Sequence, residues 1–100
     1  MKQHRYRITV EHIADAKGNP IDGAAPLQFE ARNHDELLSI VERVRSRGEF
    51  DADTAAAMAV GMKLFGEVML ENRDHPLFAD FFPHFVDFIK QLKKGIVPQA

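Results

Sequence analysis

Apolar and polar residues alternate along the first stretch of the chain. Between Arg5 and Ile13, Tyr6, Ile8 and Val10 fall on one side, and Arg5, Arg7, Thr9 and Glu11 on the other. A period of two with β-branched members predicts a half-buried strand. Lys17-Gly18-Asn19-Pro20 then breaks the pattern, and Asp22-Gly23 is a second turn signal. Leu27, Phe29 and Ala31 alternate with Gln28, Glu30 and Arg32, which predicts a second strand. The two read as an antiparallel hairpin over about 4–32, with a long loop from Asp15 to Pro26.

The period then changes. Leu37, Ile40, Val41 and Val44 repeat at three and four, which predicts a helix over about 34–47. Asn33 is its expected N-cap, with Glu36 at capping-box spacing, and Gly48 its stop. A second helix is expected over about 54–72, capped by Asp51 or Asp53. Met58, Met62, Phe65 and Met69 share one face of it, with Gly61, Leu64 and Val68 alongside. Gly61 and Gly66 each weaken a helix by about 1 kcal/mol relative to alanine, so their expected use is close approach of another element. A short turn at 76–79 precedes a third helix over about 81–94. Asp80 is its expected cap, Pro83 biases Phe82 away from helical backbone, and Gly95 is its stop. Phe81, Phe85, Phe88 and Leu92 line one side of it, joined by Phe82 and Ile89.

The predicted fold class is therefore α+β, an N-terminal antiparallel β-hairpin packed on three α-helices (β-β-α-α-α), forming a single domain over 1–100. A lone hairpin is marginal in water, so its Tyr6/Ile8/Val10 and Leu27/Phe29 face is expected to pack on the helices. Five of the eight phenylalanines lie between Phe78 and Phe88, which makes the last helix the expected chief supplier of core.

Composition narrows the class. The apolar fraction of 45% is that of a folded domain. A formal net charge of -2 argues against a general polyanion binder. Absence of cysteine excludes disulfides, a thiolate zinc site and a cysteine nucleophile, and fits a reducing compartment. There is no signal-peptide core after the basic Met1–Arg5 start, and no apolar run long enough to span a bilayer. The expected location is cytoplasmic.

Tyr6-Arg7-Ile8-Thr9-Val10-Glu11, Gly61-Met62-Lys63-Leu64-Phe65-Gly66-Glu67 and the closing His75-Pro76-Leu77-Phe78 with Phe85, Phe88-Ile89 and Leu92-Lys93 resemble a family of small bacterial proteins. It is catalogued as a domain of unknown function, number thirty-eight sixty-one, and the resemblance covers nearly the whole chain. It implies a bacterial cytosolic protein with a hairpin-plus-helices fold. It carries over no activity, cofactor or catalytic residue.

The candidate sites each have a plainer reading. Asp80, His84 and Asp87 fall on one helical face at a spacing that suits a divalent metal, yet Gln91 extends the same stripe and no second ligand helix is evident. They are read as the polar side of an amphipathic helix, and no metal or cofactor is assigned. His12 and His34 lack a phosphate loop, carboxylate pair or nucleophile motif beside them, and Ser39 and Ser46 lie outside any nucleophile elbow. No catalytic residue is assigned and an enzyme is not expected. Lys2, His4, Arg5, Arg7 and Arg32 on the strands, with Arg43 and Arg47 on the first helix, would touch phosphates if they converged. Against that, Glu11 and Glu30 share the strand face, and Arg7 is expected to pair across the strands with Glu30. Lys17, Asn19 and Asp22 are the polar residues of the long hairpin loop, a place where function often resides. The Met58/Met62/Met69 row would make an adaptable groove if exposed, although core is the commoner use of such a row.

The expected function is a non-enzymatic protein–protein interaction or accessory role. The alternatives are a nucleic-acid accessory protein using the Lys2/Arg5/Arg7/Arg32 face and a small ligand-binding protein. Open strand edges and the wide apolar arcs of the second and third helices suit a homodimer through either. A monomer whose helices wrap the hairpin satisfies the same pattern.

Overall fold

A computed structural model describes residues 2–94 of the chain. They form two compact units, one ending at Asp35 and the other starting at Glu36.

The first unit is the expected hairpin. Strand β1 (His4–Val10) pairs antiparallel with β2 (Leu27–Asn33) in a register that sets Ile8 against Phe29 and Arg7 against Glu30. The alternation places Tyr6, Ile8 and Ala31 on one face, half-buried. That face is covered only in part. Val10 and Leu27, paired at the loop end, are 55% and 60% exposed, and Phe29 is also open. The strand pattern is therefore the expected one, but the burial expected of Val10, Leu27 and Phe29 is not seen. The Tyr6 hydroxyl donates to the Asp35 carbonyl at 3.3 Å.

The loop is more ordered than its length suggests. One Asp15 carboxylate oxygen accepts from the backbone N–H groups of Lys17 and Asn19, both at 2.9 Å, and the other accepts from the Asn19 side-chain amide at 3.1 Å. The Asp15 N–H in turn donates to the Asn19 carbonyl, and Ala14 bridges to Pro20. Gly18 takes φ +90 inside this turn, a backbone region open to glycine and strained for other residues.

The second unit holds α1 (Leu37–Ser46), α2 (Ala52–Glu71), the short α3 (Pro76–Ala79) and α4 (Phe82–Lys94). Helix α1 starts later than expected. Asn33 is not its cap but the buried end of β2, where its side-chain oxygen accepts from the Asp35 N–H at 2.9 Å. The cap is Glu36, whose carboxylate accepts from Leu38 and Ser39. Gly48, at φ +73, donates to the Arg45 carbonyl just past the helix end, the usual left-handed stop. Asp51 caps α2 as expected, accepting from Thr54 at 2.7 Å. Asp80 does not cap α4; it closes α3 in helical backbone. Phe82 is the first residue of α4, and Pro83 sits in the first turn, where its missing N–H has no intrahelical partner to lose. Gly95, the expected stop, lies outside the described residues.

The core lies elsewhere than the phenylalanines suggest. Val41 and Val44 of α1 close onto Ala55 and Ala59 of α2, with Ile40, Ala56, Met58 and Val60 packed around them. Alanines at i and i+4 leave a groove that lets the α1 valines approach. Of the expected Met58/Met62/Phe65/Met69 face, Met69 is buried and Met58 and Met62 are half-buried, but Phe65 is open, and the closest packing of α2 is at Ala55 and Ala59. Helix α4 contributes only Leu92 to the buried apolar residues among those described. Among the described residues no helix is long and apolar enough to cross a membrane.

Candidate interaction surface

Helices α2, α3 and α4 share an aromatic cluster. The Phe65 ring on α2 lies with its centroid 6.1 Å from Phe78, 6.0 Å from Phe81 and 5.9 Å from Phe85, meeting Phe78 and Phe85 edge to face. Phe81 and Phe85 are 6.1 Å apart. Such pairs each contribute about 0.5–1.5 kcal/mol beyond the area they bury. Phe85 reaches α2 at Gly66, where an added Cβ would stand 3.2 Å from its ring. The expected use of Gly66 as a point of close approach is therefore seen.

The local sequence explains how the short α3 is set. Pro76 occupies its first turn, and His75 precedes it. The His75 Nδ1 accepts from the Leu77 N–H at 3.1 Å, and its ring lies 5.7 Å from Phe78. His75 caps α3, a role outside the usual capping residue types; the Pro at the first helical position is the signal in the sequence for a helix start there.

The cluster is not sealed. Phe65, Phe81 and Phe88 remain 42%, 44% and 43% exposed, and Val68 is open beside Phe65. Gly61, Phe65 and Val68 fall at i, i+4 and i+7 on α2, and Phe81, Phe85 and Phe88 do so at the start and along α4. The Phe81 carbonyl accepts from Phe85, so helical spacing holds between them. Rings expected to supply core thus form an apolar face with a large open fraction. The methionine row is no such groove, because Met69 is fully buried and Met58 and Met62 are half-buried.

The outer face of the hairpin carries charge. Arg5 stands directly opposite Arg32, and Arg7 opposite Glu30. The expected Arg7–Glu30 ion pair is not the one formed. Glu30 instead takes Arg5, diagonally, at 2.8 Å, which relieves the Arg5–Arg32 repulsion. Hydrogen bonding from Arg5, then its charge, holds the Glu30 carboxyl below its ordinary range, with Arg7 and Arg32 adding to the effect. Three guanidinium groups thus surround one carboxylate. Arg43 and Arg47 belong to the other unit, where Arg47 pairs with Glu49 at 3.6 Å.

The remaining candidates are dispersed. Asp80, His84 and Asp87 are exposed, and among the described residues no three acidic or histidine side chains form a group able to hold a metal. His12 is exposed beyond β1, and His34 lies before α1 rather than within it, 3.5 Å from the Asp35 carboxylate. The Ser39 and Ser46 hydroxyls donate to the carbonyls of Glu36 and Arg43, one turn back. In the loop, Asn19 is held by Asp15, while Lys17 and Asp22 are exposed.

A family model described as a domain of unknown function with solved structure, DUF3861, matches residues 4–94. The chain belongs to the DUF3861 family. The resemblance read from the strand, the glycine-bearing helix and the phenylalanine tail is thereby shown. The DUF3861 chain is also similar to a crystal structure of a protein of unknown function from Pectobacterium atrosepticum. Identity is 38%, the match covers 93% of this chain and 99% of that one, and the TM-score is 0.79. No curated protein matches.

Proposed function

We propose that this DUF3861 protein is a non-enzymatic interaction or accessory domain that works through the apolar face of α2 and α4. The observation that carries this reading is the exposure of three phenylalanines, Phe65, Phe81 and Phe88, on stripes joined by the Phe65–Phe81 contact. Contiguous exposed apolar patches rimmed by polar residues are a mark of contact sites. The serine hydroxyls are engaged with their own helix backbone, which suits a role other than nucleophile. The test is the size of the protein in extract of its own cell. Wild type is expected to elute well above 11.3 kDa, and Phe65→Ser with Phe81→Ser to fall toward that mass while keeping its helical circular dichroism. A complex indifferent to both substitutions overturns the reading.

A second reading rests on the hairpin. Arg7 and Arg32 flank Glu30, whose ion pair is taken by Arg5, and so leave two cations on the outer face that Lys2 would extend. A nucleic-acid accessory role would use them as phosphate contacts. Fluorescence anisotropy with a single-stranded oligonucleotide decides it: binding must weaken as salt rises, and must fall in Arg7→Gln with Arg32→Gln.

A further inference from the structure

Six side chains make up the outer face of the hairpin, in three directly opposed pairs: Arg5 with Arg32, Arg7 with Glu30, and Thr9 with Gln28. All six are exposed. Neighbours on one face of an antiparallel ribbon stand about 7 Å apart along a strand and about 5 Å apart across it, so the three arginines spring from one small patch. Glu30 is the one acidic residue of the six. Its carboxylate accepts from the Arg5 Nη2 at 2.8 Å, and Arg7 and Arg32 act on it by charge. Neither Arg7 nor Arg32 forms an ion pair of its own among the described residues. Glu30 thus marks a place where these guanidinium groups hold a negative group, and the patch stays cationic after that pairing.

We infer that this patch binds phosphodiester backbone and that Glu30 gates it, occupying Arg5 until a strand displaces it. The inference rests on the hairpin reading of a nucleic-acid role, and it adds the contacting groups and their control. The chemistry of the face selects the ligand. Guanidinium forks match phosphate oxygens two at a time. Thr9 and Gln28, joined by a hydrogen bond of 3.4 Å, add neutral groups of the kind that bond phosphate. No aromatic or aliphatic side chain stands among the six, so the face offers no stacking platform for a base and no apolar pocket for a peptide side chain. What it recognises is charge and backbone. The gate follows from exposure. The Arg5 and Glu30 side chains are 64% and 55% exposed, and an ion pair so open to water is weak. A ligand with linked phosphates holds Arg7 and Arg32 first and then competes for Arg5 at the high effective concentration that linkage gives. A lone phosphate has no such advantage over Glu30.

The test is fluorescence anisotropy of the purified full chain with a labelled oligonucleotide, as single strand and as duplex, over a series of salt concentrations. Glu30→Gln frees Arg5 for one more phosphate. It is expected to raise affinity about three-fold or more at low salt, and to steepen the fall of log affinity with log salt by about 0.7 for the single strand and about 0.9 for the duplex. Glu11→Gln removes a negative charge just beyond β1 and leaves the Arg5 pair alone, so it is expected to keep the wild-type slope. In the wild type, the Arg5 side-chain N–H resonances are expected to move as the strand saturates the protein, a readout that needs no variant to fold. An unchanged slope in a Glu30→Gln protein with wild-type circular dichroism, or Arg5 resonances that stay in place at saturation, refutes the gate. If Arg7→Gln with Arg32→Gln still weakens binding in that case, the hairpin reading stands without it. Binding by neither wild type nor Glu30→Gln overturns both. Polyglutamate bound as tightly as the oligonucleotide overturns the assignment to phosphodiester.

Discussion

The Phe85 ring fills the space that a Cβ on Gly66 would need, at 3.2 Å, while none of the described residues comes within 4 Å of that position on Gly61, five residues earlier. Two glycines on one helix therefore answer differently to one substitution. Gly61→Ala gains the full helix-propensity difference of about 1 kcal/mol. Gly66→Ala meets a ring held between Phe65 and Phe81, which must shift by a few tenths of an ångström, so it gains clearly less. Urea unfolding of the two variants is expected to show Gly61→Ala as the more stable. Equal gains would show that the Phe85 ring moves freely.

Ala59 tests where the core sits. It is buried against the α1 valines, with Ala55 one turn before it. A leucine there drives apart the two helices that the alanines allow to close. Ala59→Leu is expected to lose about 1–3 kcal/mol, as overpacking does. Leu77→Ala, by contrast, trims an exposed side chain and is expected to fall within about 0.5 kcal/mol of wild type. Thermal unfolding of the pair checks both.

These two sites also show what the sequence could and could not say. Alternation around Tyr6 and Ile8 is a signal of period two that no helix reproduces, so the hairpin and its register face were legible. So was the Leu37/Val41/Val44 stripe, because each of those residues is strongly apolar. The face of α2 was not. Alanine is only weakly apolar, so Ala55 and Ala59 vanish beside Met58 and Phe65 in any reckoning of hydrophobicity, yet in packing a small residue is what brings a second helix close. The phenylalanines misled for the same reason in reverse. A large ring signals burial by its transfer energy, but these rings also need room, and here they find it in one another and at the surface. Glu36 is hard to see as a cap because Asn33 is the better capping residue type. Asn33 is instead engaged at the end of β2, where its side chain holds the Asp35 N–H.

That exchange of roles gives a third prediction. Glu36→Ala removes the acceptor for the Leu38 and Ser39 N–H groups at the start of α1, and is expected to cost about 1 kcal/mol. Glu36→Ser, which keeps a capping oxygen, is expected to recover most of it. Asn33→Ala removes a buried side chain that partners the Asp35 N–H, and is expected to cost about 1–3 kcal/mol. Were Asn33 merely a helix cap, Asn33→Ser would restore stability as fully as Glu36→Ser does at its own site; with Asn33 buried at the strand end, the shorter serine is expected to restore less.

Acid is expected to weaken the fold through three carboxylates. Asp15 is held below its ordinary 3.8 first by the Asn19 backbone N–H, Asp51 below 3.8 by the Thr54 backbone N–H, and Glu30 below 4.5 by its hydrogen bond to Arg5. A carboxyl that binds its proton less tightly when folded leaves the unfolded chain holding more protons on the acid side, so folding weakens as pH falls. The stabilisation is fully present above the ordinary values and is lost as pH drops through them toward the lower folded ones. Unfolding by urea at a series of pH values is therefore expected to show stability flat with respect to these groups near neutrality and declining below about 4.5. Asp15→Asn keeps one acceptor oxygen for the loop and removes the titrating group, so its decline is expected to be shallower than that of wild type. An equally steep fall in Asp15→Asn would show that the charge on Asp15 contributes nothing to the ordered hairpin loop.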